Sequence, residues 1–596
     1  MISEEDIKLS KFVVTVKAEF FDEGKDDGIE VEYDNIYPEP YVFHEKDHLF
    51  YVLGSPIIGE KINRKKVCEV VRTNGLDNNI LSLINGEFLI IWFNRVLREI
   101  NLINDRFTSI PFYFFTREKY FFGSVYYKDV WKQLDPLTNK KVLKEAFFEF
   151  IWLQRLMGEK TYDTKSKFLW SASCLTFNGR KIHTKNYWFP DFTKDYKSSI
   201  RTQAIILAKR LKKSINRKTS DNKRYGLFLS GGRDTRVVLA AFEKPLICFT
   251  VGSSRDNNEY LVALEASKVK GAEHVFLPSP PDHYSKILDK AVLLGGGMYT
   301  FPHALFLPYR NFVIPKVDVV FHGHGLDYFF QGMYLPRKYF YIFRRRTYCA
   351  KLRRLSGDFI SDYLTNIHHR LKDIDIMRYI KLSHREKMME FLRYSVDEVV
   401  QRGREFCNTL YDLWEYMLIH NLSRHYTNPN LSSIATYVEQ RTIAFDNDVF
   451  SLYMSLPEKY RLGANISCKT LRYLDPKLGK IRTGNTNIRA DYSPLMQTAT
   501  MIGSWLLRKS KISKKEYLHP HPEDRTWPDN DVALRNQRYL VETAMQVAKS
   551  EVLETLSFLD MTTIRKDIDE WLKSPTGGAA FIFTLITIDR FLRATK

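Results

Sequence analysis

At 596 residues, 44% hydrophobic and 27% charged, the chain is long enough for two or more domains with large cores, and its composition excludes a disordered or fibrous protein. A formal net charge of +20 favours polyanionic partners: nucleotides, nucleic acid or acidic lipid surfaces. Six cysteines (Cys68, Cys174, Cys248, Cys349, Cys407, Cys468) without a C-x-x-C pair argue against a disulfide framework or zinc site and suit a reducing cytoplasm. The acidic start, Met1-Ile2-Ser3-Glu4-Glu5-Asp6, is not expected to act as a signal peptide, and no apolar run is long enough for a membrane span. Part of the basic excess lies in Phe343-Arg344-Arg345-Arg346 and Lys351-Leu352-Arg353-Arg354, expected to be a solvated helix face. No nucleic-acid-binding motif accompanies them, so no specific nucleic acid is expected as a partner.

Taken in order, residues 1–188 carry short alternating or aromatic runs at 12–16, 49–53, 88–93, 112–115 and 120–125, separated by turn residues. Stacked antiparallel sheets are expected there. Residues 194–216 place Ile205, Ile206, Ala208, Leu211 and Ile215 among Lys and Arg, the pattern of a basic amphipathic helix. Then comes YGLFLSGGRDTRVVLAAF at 225–242: an apolar strand, a glycine turn, and a helix opening at Asp234. In Ser230-Gly231-Gly232-Arg233-Asp234-Thr235 the glycines let an anion approach the backbone, and the free amides and dipole of the helix start favour phosphate. Ser230 and Thr235 add hydroxyls. Asp234 would repel phosphate directly and reads as a magnesium ligand. Strands at 246–251, 274–277 and 317–322, with a helix at 258–270, predict a parallel sheet covered on both faces. Ligands bind beyond the carboxyl ends of such strands, which brings the Ser230 and Gly323 loops together. Residues 352–431 read as a charged helical bundle, and 581–592 as a closing apolar helix.

The Ser-Gly-Gly-x-Asp-Thr string resembles the pyrophosphate-binding loop of the ATP pyrophosphatase superfamily, with Thr235 for the usual final serine. Four strings upstream, Asn85-Gly86-Glu87-Phe88, Asn104-Asp105-Arg106-Phe107, Ile110-Pro111-Phe112-Tyr113 and Phe121-Phe122-Gly123-Ser124, fall in the order of landmarks in the glutaminase domain of asparagine synthetases. Phe249-Thr250-Val251-Gly252, with Glu259, Ala263 and Glu273-His274, resembles the segment after the loop, and Phe321-His322-Gly323-His324-Gly325-Leu326-Asp327-Tyr328 the second signature of that family. Glu439-Gln440-Arg441-Thr442-Ile443-Ala444-Phe445-Asp446 and Lys469-Thr470-Leu471-Arg472 resemble later ones.

The resemblance implies two domains: 1–190, an Ntn-hydrolase-like antiparallel β-sandwich with helices, and 191–596, a parallel-sheet, adenine nucleotide α-hydrolase-like (PP-loop) domain with helical additions. It implies an ATP-dependent carbon–nitrogen ligase that adenylates a small-molecule or peptide carboxylate, releases pyrophosphate, and forms an amide with ammonia or an amine. Leu229, Ser230, Gly231, Gly232, Asp234, Thr235, Phe249, Thr250 and Gly323 would bind ATP, and Asp234 and Asp327 would hold Mg2+. Lys469 or Arg472 would meet phosphate, and Arg482 would stand in for a later lysine. His324 replaces a family glutamate; base toward an amine and packing spacer are both open, since an imidazole's reference pKa is about 6.5. Glu439 and Arg441 read as a structural ion pair. The family's glutaminase needs a cysteine as first residue; Ile2 follows Met1 here, and Cys68 reads as a small buried hydrophobe, so glutamine hydrolysis is expected to be lost. The alternatives are a degenerate nucleotide-binding scaffold and an intramolecular cyclase of the β-lactam or lasso-peptide type. A homodimer is open.

Overall fold

The strand Asn85–Asn94 is buried along its whole length and organises the first half of the molecule. Leu89, Ile91 and Phe93 face one core, while Phe88, Ile90 and Trp92 face another, as the two-residue period of a strand requires. The first core lies between two antiparallel sheets; Phe121 of one meets Phe177 of the other at 5.8 Å. One sheet runs in the order Lys167–Phe168, Tyr113–Arg117, Tyr120–Ser124, Val13–Glu19, Gly28–Asp34. The other runs Ile182–Asn186, Ser173–Phe177, Glu99–Asn104, Asn85–Asn94, His48–Ile58, Tyr41–Glu45, with Lys61–Ile62 pairing on His48–Ile58. Helices Arg64–Asn74 and Asn78–Leu83 close the second core, which holds Cys68; burial pushes that thiol up to about 12 and leaves it inert.

The computed structural model describes residues 13–19, 28–34, 38–138, 141–366, 371, 373–510, 527, 529–574 and 577–595. Ile2 and Phe12, on which two expectations rest, lie outside these residues. Among the described residues no helix is long and apolar enough to cross a membrane.

The second half opens with α1 (Ile200–Lys218), capped by Ser199, whose side chain accepts from the Thr202 amide. There follow β1 (Tyr225–Phe228), α2 (Asp234–Ala241), β2 (Ile247–Gly252), α3 (Asn258–Lys270), β3 (Glu273–Pro278), β4 (Val319–His322) and α4 (Leu326–Phe330). A hairpin, β5 (Arg337–Ile342) and β6 (Arg345–Leu352), precedes β7 (Glu439–Thr442), α5 (Asn465–Leu474), α6 (Pro494–Lys509) and α7 (Ala579–Ala594). The sheet is parallel, in the order β3-β2-β1-β4-β7. Its order reverses between β1 and β4, so the loops that leave their carboxyl ends diverge to opposite faces and leave a crevice. The basic run at 343–346 is not a helix face: it forms the tip and first residues of the β5–β6 hairpin. Its strand-prone neighbours Tyr339, Phe340, Tyr341, Ile342 and Thr347 explain why.

Side chains committed to buried contacts join the halves. Glu87 accepts from Lys218 Nζ (2.7 Å) and from the Thr442 amide (3.0 Å), and Asn85 Nδ2 donates to Asp446 (2.9 Å). Phe107 stacks on Phe445 at 4.7 Å. The chain's last described helix, α7, returns to the first half, where Phe591 packs on Tyr127 and Trp131.

His283, first residue of the helix His283–Leu294, is buried against the rings of Tyr309 and Trp527. Burial lowers its pKa from 6.5 to about 4. The unfolded chain takes up that proton first, so stability present above pH 6.5 is lost as pH falls toward 4. His283→Phe is expected to remove about 2 kcal/mol of the loss between neutral pH and about pH 5. Melting temperature against pH reads it; an unchanged acid slope would refute it.

Candidate functional site

The crevice between β1 and β4 is a cleft of about 990 Å³ lined by Ser230, Asp234 and Thr235 from one loop and by Gly323, His324 and Asp327 from the other. The two loops are in van der Waals contact. A Cβ on Gly323 would lie 2.8 Å from the Thr235 amide nitrogen and 2.9 Å from Asp234 Cβ, so only glycine permits the approach. The expectation that these bends converge is met at the backbone, and both aspartates face the shared cleft.

The two carboxyl groups sit in a poor environment for charge. Burial pushes Asp234 up to about 6, although Gln331 Nε2 donates to its Oδ1. Asp327 is raised well above the ordinary carboxylate range, by burial first and then by the negative charge of Asp234. Each therefore resists ionisation because of its surroundings, and Asp327 also because of its neighbour.

The glycine loop is braced from within. Ser230 Oγ accepts from the Gly232 amide (3.1 Å), and the Ser230 amide donates to Thr235 Oγ1 (3.0 Å). The Gly231 amide, expected to be free for phosphate, donates instead to the carboxylate of Glu259 (2.9 Å). Glu259 projects from the first turn of α3 and has little room elsewhere, because a Cβ on Gly484 would already meet its Oε2 at 2.4 Å. Arg236, fully buried, ties this corner together by donating to the carbonyls of Ile481 (2.8 Å), Arg482 (2.9 Å) and Gly231 (3.1 Å).

On the neighbouring strand, Phe249 and Thr250 line the cleft, as does Leu229. Their side chains are structural: the Phe249 ring packs on Phe228, and Thr250 Oγ1 donates to the Leu229 carbonyl (2.7 Å). Lys469 does not line the cleft. The buried face of α5 (Ile466, Ser467, Cys468, Thr470, Leu471, Leu474) turns it away. Arg472 is held by Asp491 (3.5 Å), and Arg482 is exposed, contributing only its carbonyl. Among the described residues, the one cation lining the cleft is Arg346, from β6. Sequence reasoning assigned it to a solvated face; the signal available was a basic, aromatic stretch of high strand propensity.

His324 lines the cleft, and burial pushes its pKa down to about 3, so its ring is neutral. Its Nε2 makes no hydrogen bond with the described residues. The hydroxyl of Tyr328, beside it at 5.1 Å between rings, is hydrogen-bonded to His425 Nδ1 (2.7 Å) and to the hydroxyl of Thr427, which lines the cleft. His425 and Thr427 were not legible from the sequence. Glu439 and Arg441 form the expected buried pair, Nε to Oε1 at 2.7 Å. The cluster Asp412, Glu415 and Glu458, spaced as metal ligands are, already surrounds the ammonium of Lys194, 2.7 Å from Glu415.

Residues 207–474 match the family model described as asparagine synthase, a span that holds both loops. Two solved structures are similar. One is glutamine phosphoribosylpyrophosphate amidotransferase from B. subtilis complexed with ADP and GMP, at 7% identity over 46% of this chain and 61% of that one, TM-score 0.19. The other is the allosteric regulatory enzyme of purine biosynthesis, at 8% identity over 47% of this chain and 77% of that one, TM-score 0.20. The chain thus spans 61% of the length of the first, and neither likeness is close enough to bear on the site. No curated protein matches the chain.

Proposed function

We propose, from the premise that residues 207–474 form an asparagine synthase domain, that the chain is an ATP-dependent amide-forming ligase built of two units, 1–190 and 191–596. ATP adenylates a small-molecule or peptide carboxylate with release of pyrophosphate, and ammonia or an amine then displaces AMP. One observation carries this reading: two loops in contact at the reversal of strand order give one cleft two half-buried carboxyl groups.

Those groups fit magnesium, which takes one or two carboxylates, phosphate oxygens and water. Asp234 and Asp327 would hold the ion. Bound there, it supplies charge neutralisation for the departing pyrophosphate. The raised pKa values of both carboxyls mark a site that gains by receiving a cation. Ser230 and Thr235 offer hydroxyls to the phosphates. His324, neutral with a pKa of about 3, holds a proton too weakly to serve as base toward an ammonium; it orients the incoming amine as a hydrogen-bond acceptor. The first unit does not hydrolyse glutamine in this reading, since its two cysteines, Cys68 and Cys174, are buried and their thiols are pushed up to about 12.

Arg346 offsets phosphate charge in the absence of a lysine. Arg346→Ala is expected to lower kcat/KM roughly 30-fold, with partial recovery in Arg346→Lys. An unchanged kcat/KM would remove Arg346 from the reaction.

The test of the function is exchange of labelled pyrophosphate into ATP with pooled carboxylic acids, repeated on Asp234→Ala. Exchange should require one acid and disappear in the variant. A second reading, a nucleotide-binding scaffold, is favoured by the Glu259 carboxylate on the Gly231 amide. ATP binding without exchange across the acid panel would select it.

A further inference from the structure

The basic run that the catalytic reading leaves unexplained sits at the tip of the β5–β6 hairpin. Phe343 and Arg344 form the turn with φ of 49° and 60°, a conformation that hairpins usually give to Asn-Gly. A large apolar side chain and a cation are thus kept where the backbone disfavours both. Phe343 stacks on Trp505 of α6 at 5.6 Å, and the Arg345 guanidinium and the Lys509 ammonium lie 5.2 Å and 5.4 Å from the centre of that indole. Hairpin tip and helix end therefore form one surface.

That surface is both greasy and cationic. Phe343 is 69% exposed, Tyr341 63%, Leu506 49% and Leu507 48%. Residues 328–357 contain eight Lys or Arg and no Asp or Glu; residues 492–510 contain two and none. These two stretches account for ten of the chain's net charge of +20. We propose that the β5–β6 tip and the end of α6 form a docking surface for an anionic lipid bilayer, with Phe343, Leu506 and Leu507 entering the interface and Arg344, Arg345 and Lys509 meeting headgroups.

A bilayer fits better than a nucleic acid or an acidic glycan because exposed aliphatic side chains such as Leu506 and Leu507 neither stack on bases nor bond to sugars, whereas they gain by entering hydrocarbon. The unbalanced positive charge of the two stretches, with Arg344, Arg345 and Lys509 at the tip and helix end, supplies the charge complementarity. The consequence concerns the cleft: Arg346 lines it only three residues from Phe343, just past the hairpin turn and paired with Tyr341. Docking brings its rim to the headgroup layer. The inference is independent of the chemistry assigned to the cleft.

The test is flotation of the full chain with phosphatidylcholine vesicles, with and without phosphatidylglycerol, beside heparin retention. Flotation should require phosphatidylglycerol and weaken with salt. Arg344→Ser with Arg345→Ser should cut vesicle affinity roughly 25-fold. Phe343→Ser with Leu507→Ser should cut it about tenfold while leaving heparin retention unchanged. Melting temperature and ATP-analogue binding, unchanged in both variants, exclude misfolding. Absence of flotation on anionic vesicles overturns the proposal. So does an apolar variant that floats like the parent, which would make the surface a site for soluble polyanions, RNA included.

Discussion

Asp327→Asn is expected to raise the melting temperature of the ligand-free chain while lowering AMP formation about a thousandfold. The two effects have one cause. Asp234 has its pKa pushed up to about 6, and Asp327 is raised further by burial and by the charge of Asp234. A carboxyl with a folded pKa above its unfolded one adds stability below the unfolded value, and that stability is lost as pH rises through the folded value. At neutral pH the pair therefore carries a penalty, and removing one member relieves about 2 kcal/mol of it. The same substitution takes away half of the protein's ligands for the ion and much of the charge stabilisation that the ion supplies. Calorimetric scans over a range of pH, with and without Mg-ATP, separate the effects. The parent should melt higher with Mg-ATP and lose stability as pH rises through about 6. The variant should do neither to the same extent. A variant that melts lower and still forms AMP would show that the carboxylates do not share a cation.

Four strands of the parallel sheet were legible because they are short, largely apolar runs, as buried parallel strands are; the fifth, β7, reads Glu-Gln-Arg-Thr and carries no such signal. Residues 247–252 and 258–270, strand and helix, fall where periodicity placed them. The convergence of the Ser230 and Gly323 loops followed from topology alone, since crevices form where strand order reverses. The hairpin at 337–352 was not legible from its charge, because Arg and Lys suit an exposed strand as well as an exposed helix. Nor could sequence show Glu259 reaching the Gly231 amide, Arg346 entering the cleft, or Thr427 beneath Tyr328. Each depends on pairings between residues far apart in the chain, and single side chains carry no record of such partners. Lys469 shows the converse: a string can match while the helix that bears it presents another face.

The partners invisible in sequence also hold the two halves together, and Lys218→Met is expected to cost about 3–5 kcal/mol. Lys218 and Glu87 are both almost wholly buried, 2.7 Å apart, one at the end of α1 and the other on the central strand of the first half. Such a pair gains little over an apolar replacement of both partners, but removing one leaves the other as an uncompensated buried charge. Glu87 also accepts from the Thr442 amide, so Lys218→Met with Glu87→Gln should recover most of the loss, the glutamine oxygen keeping that bond. The effect should reach the cleft. Thr442 Oγ1 lies 3.3 Å from His322 Nε2, and His322 is the last residue of β4, directly before Gly323. A loosened Thr442 therefore lets the second loop move relative to Asp234, and ATP-analogue affinity should fall in the single variant and return in the double. A double variant as unstable as the single one would mean that the cost lies in packing around the Lys218 stem and not in the stranded charge.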